Sequence, residues 1–171
     1  MTDNQTKLLE ILDRDGASLF AFFVRVTLCE DHAEELLQEL FLELRMARNI
    51  DRVVNPNGYV LRAAINLAFD WRKQRPVTPK SDEAGSQQDG EQSLAAELVR
   101  RQELEYMLDG IAKLKGQRRE IFVLRHIQGK SNDDIAEQLA MTSHHARSLC
   151  HKAMMKLQKI LRAGENMGLE Y

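Results

Sequence analysis

From residue 143 onward the chain sets imidazoles, a guanidinium, a hydroxyl and an ammonium at helical spacing: His144, His145, Arg147, Ser148, His151 and Lys152. Ala146, Leu149, Cys150, Ala153 and Leu157 alternate with them at three- and four-residue steps, so a helix over 144–162 turns the two sets apart. A helix of that size fits the major groove of duplex DNA, where arginine grips guanine bidentately and serine or histidine bonds base edges. Lys152, Lys156 and Lys159 suit phosphates, which add affinity without sequence information. Upstream, SNDDIAEQLA predicts a short helix over 132–140, capped by Ser131 and broken at Thr142-Ser143, with Ile135, Ala136 and Leu139 inward. Two such helices across a tight turn have the spacing of a helix-turn-helix, and equally that of a generic αα-hairpin with solvated charges. Charge favours the former: residues 138–163 hold five Lys or Arg and no acid.

Two further constellations stand in the N-terminal half. On a predicted helix over 58–75, Arg62, Asn66 and Lys73 fall within ~40° of one another. Val60, Ala64, Leu67 and Trp71 lie opposite. A narrow basic and amide strip of this kind can track a nucleic-acid backbone, although an ordinary amphipathic helix has the same pattern. Trp71, on the apolar side, is expected in the core. The predicted helix 31–48 buries Ala33, Leu36, Leu37, Leu40, Leu44 and Ala47, with Asp31 and Glu34 as a capping-box-like start. Its other face is acidic: residues 30–43 carry six Asp or Glu and no Lys or Arg. Glu35, Glu39 and Glu43 repel at four-residue steps, at about 0.2–0.5 kcal/mol per pair. Leu42 sits among them, and an apolar group ringed by carboxylates reads as a dock for a basic protein partner or as a solvated face.

Enzymatic signals are weak. The chain has no phosphate-cradling glycine loop, no HExxH and no GxSxG. Cys29 with His32, and Cys150 with His151, lack the paired spacing of a structural zinc site. No catalytic residue, metal or cofactor is expected.

The elements that must position these groups are helical. The 171 residues are 43% hydrophobic, 29% charged and 6% aromatic, with nine glycines and three prolines, a bias toward helix over sandwich or barrel. Two distant cysteines fit no disulfide scaffold and suggest a reducing compartment. The start, MTDNQTKLLEILDRDG, is not expected to be a secretory signal, no apolar run reaches the ~20 residues of a membrane span, and a cytoplasmic location is expected. PVTPKSDEAGSQQDGEQS, residues 76–93, reads as a flexible acidic linker between helical blocks over 5–75 and 94–163, with a tail over 164–171. The first block has one or two helices over 5–28, interrupted near Asp15-Gly16, and a loop over Asn49–Asn57. The second adds helices over 94–113 and 117–128, the latter stopped by Gly129, and its last helix ends at Gly164. The net charge is −2, yet residues 94–163 alone carry +5, and local clustering is what a polyanion feels.

Together the segments DHAEELLQELFLEL, GYVLRAAINLAFDWRKQR and LDGIAKLKGQRREIFVLRHIQGKSNDDIAEQLAMTSHHARSLCHKAMMKL resemble a small bacterial sigma factor of the extracytoplasmic-function class, which has sigma regions 2 and 4 only. The resemblance covers about 145 of the 171 residues and implies an all-α protein of two small helical domains on a flexible linker. It implies a promoter-specificity subunit, not an enzyme by itself. Glu35, Gln38, Glu39 and Leu42 would dock on the clamp helices of the largest subunit of core RNA polymerase, and region 4 on the flap of the second-largest. The loop with Asn49 and Asn55, and the helix with Arg62, Asn66, Asp70, Arg72 and Lys73, would recognise and open the minus-ten element; Asn66, Asp70 and Arg72 match the family's Asn and Asp-x-Arg positions. Residues 94–163 would be region 4, reading the minus-thirty-five element as duplex through the six outward groups from His144 to Lys152. Arg119 and Phe122 match that region's first-helix positions. An inhibitor (anti-sigma) partner is a family expectation that no residue here reveals.

The chain departs from the family pattern at several places. Lys115 stands where proline is usual, Tyr59 where tryptophan is, His144-His145-Ala146 where Gly-Thr-Val is common, and Leu149 and Lys152 where arginine is. The fold survives these changes, whereas the promoter sequence cannot be carried over. A stand-alone helix-turn-helix regulator explains residues 131–162 too, but leaves the acidic face and the Arg62 strip without a role. A metal-assisted hydrolase using the Cys and His residues would be marked by bound metal.

Overall fold

A computed structural model describes residues 3–48, 50–75 and 91–167. The segment 76–90, Asn49 and residues 168–171 lie outside the described residues, and with them most of the expected linker, one expected minus-ten residue and half of the expected tail. The described residues are all-α: α1 (Asp3–Thr27), α2 (Glu30–Met46), a 3-10 turn (Ile50–Arg52), α3 (Pro56–Gln74), α4 (Glu91–Ala112), α5 (Gln117–Phe122) running into a π turn (Val123–Ile127), α6 (Asn132–Gln138) and α7 (Ser143–Met167). None of these helices is long and apolar enough to cross a membrane.

Helix α1 is not interrupted at Asp15-Gly16. Leu8, Ile11, Leu19, Phe22, Phe23 and Val26 form one buried stripe across it, and that burial outweighs the ~1 kcal/mol a glycine costs inside a helix. Asp15 is held by Arg14, which also donates to Asn57 Oδ1 at 3.0 Å. The expected Asp31 cap is absent as well. Ala33 N–H donates to Cys29 C=O at 3.1 Å, so α2 starts earlier, with Cys29 as N-cap, and Glu30 and Asp31 lie in its first turn facing the positive end of the helix dipole. Helix α3 starts two residues before the expected Gly58. Pro56 occupies its first turn, where no N–H is missed, and Asn55 Oδ1 caps it by accepting from Gly58 N–H at 3.0 Å.

The second half departs from expectation at Val123 and at Gly164 and agrees with it at Gly129. Helix α5 gives way at Val123 to a π turn, where Gln128 N–H reaches Val123 C=O at 3.0 Å; Gly129 follows at φ +67° and stops it, as expected. Helix α7 runs through Gly164 instead of ending there. A Cβ at Gly164 would meet the Tyr106 hydroxyl oxygen at 2.8 Å, and one at Gly110 would meet Leu161 Cδ2 at 2.8 Å. The two glycines let α4 and α7 approach closely, each seating a large side chain of the other helix. Ser131 caps α6 in a full capping box with Asp134.

Packing joins these pieces. α1 lies on α2 and α3, α7 lies on α5 and α6, and α4 touches both α3 and α7. One buried apolar cluster includes residues of both halves. Residues 93–104 of α4 are exposed.

Candidate nucleic-acid interface

Helix α7 is positioned from its inner face. Ala146, Ala153 and Leu157 are buried against α5 and α6, where Ile135 and Ala136 are also buried. Small side chains at 136, 146 and 153 allow the close crossing of a helix-turn-helix. The turn holds Ala140 at φ +54°, with Met141 N–H on Ala136 C=O at 2.9 Å. Thr142 Oγ1 then caps α7 by accepting from His145 N–H at 3.2 Å, and the Ser143 hydroxyl donates to Asp133. What remains outward is the predicted set: His144, His145, Arg147, His151 and Lys152 are exposed and Ser148 is half-buried. The cations Lys156 and Lys159 extend the exposed surface toward the C-terminus.

Helix α3 carries its strip as expected in register but not in surroundings. Arg62, Asn66, Asp70 and Lys73 are exposed, yet two of them are engaged by α5. Arg119 Nη2 donates to Asn66 Oδ1 at 2.8 Å and its guanidinium lies 5.5 Å from the Phe69 ring centre. Arg62 Nε lies 3.3 Å from Glu120 Oε2. Burial pushes the Glu120 carboxyl above the ordinary range, against the pull of Arg62, and lowers the Arg119 pKa, against the pull of Asp70. Arginine keeps its proton nonetheless. Arg72 points inward, its side chain wholly buried, donating to Glu105 at 2.7 Å with Asp109 Oδ1 at 3.5 Å from its Nε. Arg75 shares Glu105. Burial, then Arg75, lower the Arg72 pKa, and the two carboxylates oppose them. Asn55 is half-buried, donating from Nδ2 to Gln138 C=O at 2.7 Å.

The carboxylate face of α2 stands free of these contacts. Glu35, Gln38, Glu39 and Leu42 are all exposed. Leu37, Gln38, Phe41 and Leu42 line a shallow groove, and Phe41 and Leu42 are 41% and 55% exposed. Glu43 at its edge is held above the ordinary carboxyl pKa by burial first, then by Glu39 and Asp70. Trp71 is half-buried rather than fully in the core. It lies between the His32 ring, 5.0 Å away, and the Arg75 guanidinium, 5.8 Å away.

Among the described residues no group of three or more His, Cys, Asp and Glu could hold a metal ion. Cys150 faces His126 Nε2 at 3.9 Å rather than His151, and burial raises its thiol pKa. The residues that sequence reasoning passed over are Glu105 and Glu120, which hold the α3 arginines, and the Asn66 partnership of Arg119. Their signal was faint: an Arg-Glu pair directly before the wholly buried Ile121-Phe122-Val123-Leu124 run needs polar partners from elsewhere.

Residues 104–157, from the last turns of α4 to the middle of α7, match the family model described as Sigma-70, region 4. No curated protein matches the chain. Among solved structures the chain is similar to that of CnrH in complex with the cytosolic domain of CnrY, at 21% identity over 94% of this chain and 91% of that one, with a TM-score of 0.46.

Proposed function

From the match of residues 104–157 to the model of sigma-70 region 4, we propose that the chain is a promoter-specificity subunit of the extracytoplasmic-function type. In this reading it has no catalytic activity of its own and directs core RNA polymerase to promoters. The observation that carries it is the region 4 match, which falls on the helices that present the exposed polar row of α7. Arg147, Ser148 and the three imidazoles enter the major groove of the minus-thirty-five element, and Lys152 with Lys156 and Lys159 meets phosphates.

Two further surfaces support the reading. The exposed carboxylates and Leu42 of α2 suit a basic, partly apolar protein surface, here assigned to the clamp helices of the largest polymerase subunit. The α3 strip, with Asn55 before it, is assigned to the minus-ten element, whose bases leave the stack at a cost of a few kcal/mol each, or roughly that. Region 4 contact with the polymerase flap and an inhibitor partner belong to the same proposal through the family resemblance.

Run-off transcription with purified core enzyme and a fragmented genomic library tests it. The expected result is stoichiometric co-purification with core and start sites sharing two upstream sequence elements. Sequence-selective duplex binding without any assembly on core would instead make the chain a stand-alone regulator.

A further inference from the structure

Behind the exposed row of α7, where that helix packs on α5, a thiol faces an imidazole. Cys150 follows the buried Ala146 by four residues and precedes the buried Ala153 by three, so it belongs to the inner stripe. Its Sγ stands 3.9 Å from His126 Nε2. The π turn Val123–Ile127 carries His126 to that place, and its ring rests against buried Phe122 with 4.6 Å between the ring centres. Met154 lies four residues beyond Cys150, so helical spacing sets it one turn on along the same side, with Cβ atoms about 5–6 Å apart. It is half-buried against the core. The promoter reading gives none of these three side chains a task. We propose that Cys150, His126 and Met154 form a binding site for a soft monovalent metal ion, copper(I).

The donor set selects the metal. Thiolate and thioether favour copper(I), and imidazole suits copper as well. With bonds of about 2.3 Å to sulfur and about 2.0 Å to nitrogen, as in zinc sites, one ion spans the 3.9 Å between Sγ and Nε2 at an angle of roughly 130°. That angle is close to trigonal and leaves a place for the Met154 thioether. Structural zinc asks for four donors, and among the described residues no three of His, Cys, Asp and Glu are grouped to supply them. On binding, the Cys150 S–H bond breaks, its proton leaves to solvent, and the sulfur electron pair goes to the metal. His126 gives its Nε2 lone pair and keeps its ring proton on Nδ1. The charge of Arg125 acts on both Cys150 and His126. A thiolate with a monovalent ion is neutral, so the guanidinium opposes it less than it would a dication. His126 is exposed and Cys150 half-buried, which gives the ion a path from solvent. The bound ion ties α7 to the π turn and stabilises the folded chain by linkage. No base or phosphate contact is involved, so failure of this site leaves the promoter reading intact.

Anaerobic titration of the reduced full-length chain with copper(I), in competition with a chromogenic copper(I) chelator, tests the site, and X-ray absorption at the copper edge reads the donors. The expected result is one equivalent bound through sulfur and one nitrogen, with a melting temperature raised by copper(I). Cys150→Ser and His126→Ala should each weaken binding roughly tenfold or more, since loss of even a ligand's supporting partner costs that much. Met154→Leu keeps the volume and removes the thioether; it should weaken copper(I) binding and leave the melting temperature of the metal-free chain nearly unchanged. Cys29→Ser should bind as the wild type does. The wild-type spectrum needs no variant, and one without a nitrogen donor overturns the site. So do absence of binding, binding that follows Cys29 instead of Cys150, unchanged affinity in Met154→Leu, or zinc(II) held more tightly than copper(I).

Discussion

Arg147 and Lys152 sit on one helix, both in solvent, and the proposal gives them different tasks. A bidentate guanine contact discriminates among bases, whereas an ammonium on a phosphate does not. Arg147→Ala should cost about 1–3 kcal/mol of promoter binding and relax selectivity at one base position. Lys152→Ala should weaken all duplexes alike and lower the salt dependence by about one phosphate contact. Fluorescence anisotropy on promoter and scrambled duplexes across a salt series checks both. Equal loss on every sequence for Arg147→Ala would make it a phosphate contact.

Glu120 gives a second residue-scale test, in pH. Its pKa is raised from 4.5 by burial, with Arg62 pulling it back less strongly. The folded chain therefore binds this proton more tightly than the unfolded one. The resulting loss of stability is fully present above the raised folded-state pKa and disappears as pH falls toward the unfolded-state value. The Arg62 side chain is 58% exposed, so the ion pair itself adds little. Glu120→Gln should thus be at least as stable as the wild type at neutral pH, with the advantage shrinking on acidification. Urea unfolding of both proteins at pH 7 and near pH 5 reads the difference, and other carboxylates cancel between them. An advantage that grows on acidification would contradict the assignment of burial as the dominant cause.

At the scale of elements, the turn between α6 and α7 holds an alanine where the backbone asks for glycine. Ala140 at φ +54° bears part of the ~1–2 kcal/mol that the left-handed region costs an L-residue. Ala140→Gly should raise stability by about 0.5–1 kcal/mol, and Ser131→Ala, which breaks the capping box, should lower it by about 1 kcal/mol. Chemical denaturation monitored by circular dichroism measures both. The cap at Ser131 and the inward and outward faces of α7 were legible in the sequence, because both follow from local spacing. The continuity of α1 through Gly16 and of α7 through Gly164 was not, since local propensity there yields to packing against distant helices. The π turn after Phe122 was also hidden, because a run of buried apolar residues fits either helix type.

For the whole molecule, the least legible feature was the meeting of its halves. Contacts from Arg72 to Glu105, Arg119 to Asn66 and Arg62 to Glu120 join residues 33, 53 and 58 positions apart. Helical periodicity says which way a side chain faces, not what lies opposite. The acidic face of α2 was read without that difficulty, because Glu35, Gln38, Glu39 and Leu42 are exposed and helical spacing alone sets them on the face opposite the buried stripe. It leaves the molecule with an anionic surface on α2 and a cationic, imidazole-bearing face on α7, the pairing expected of a chain that joins a protein machine to DNA. The most direct test of that division is the double reversal Glu35→Lys with Glu39→Lys, examined by size-exclusion chromatography with core RNA polymerase. The account predicts a folded variant that keeps duplex binding through α7 and no longer co-elutes with core; co-elution equal to that of the wild type would contradict it.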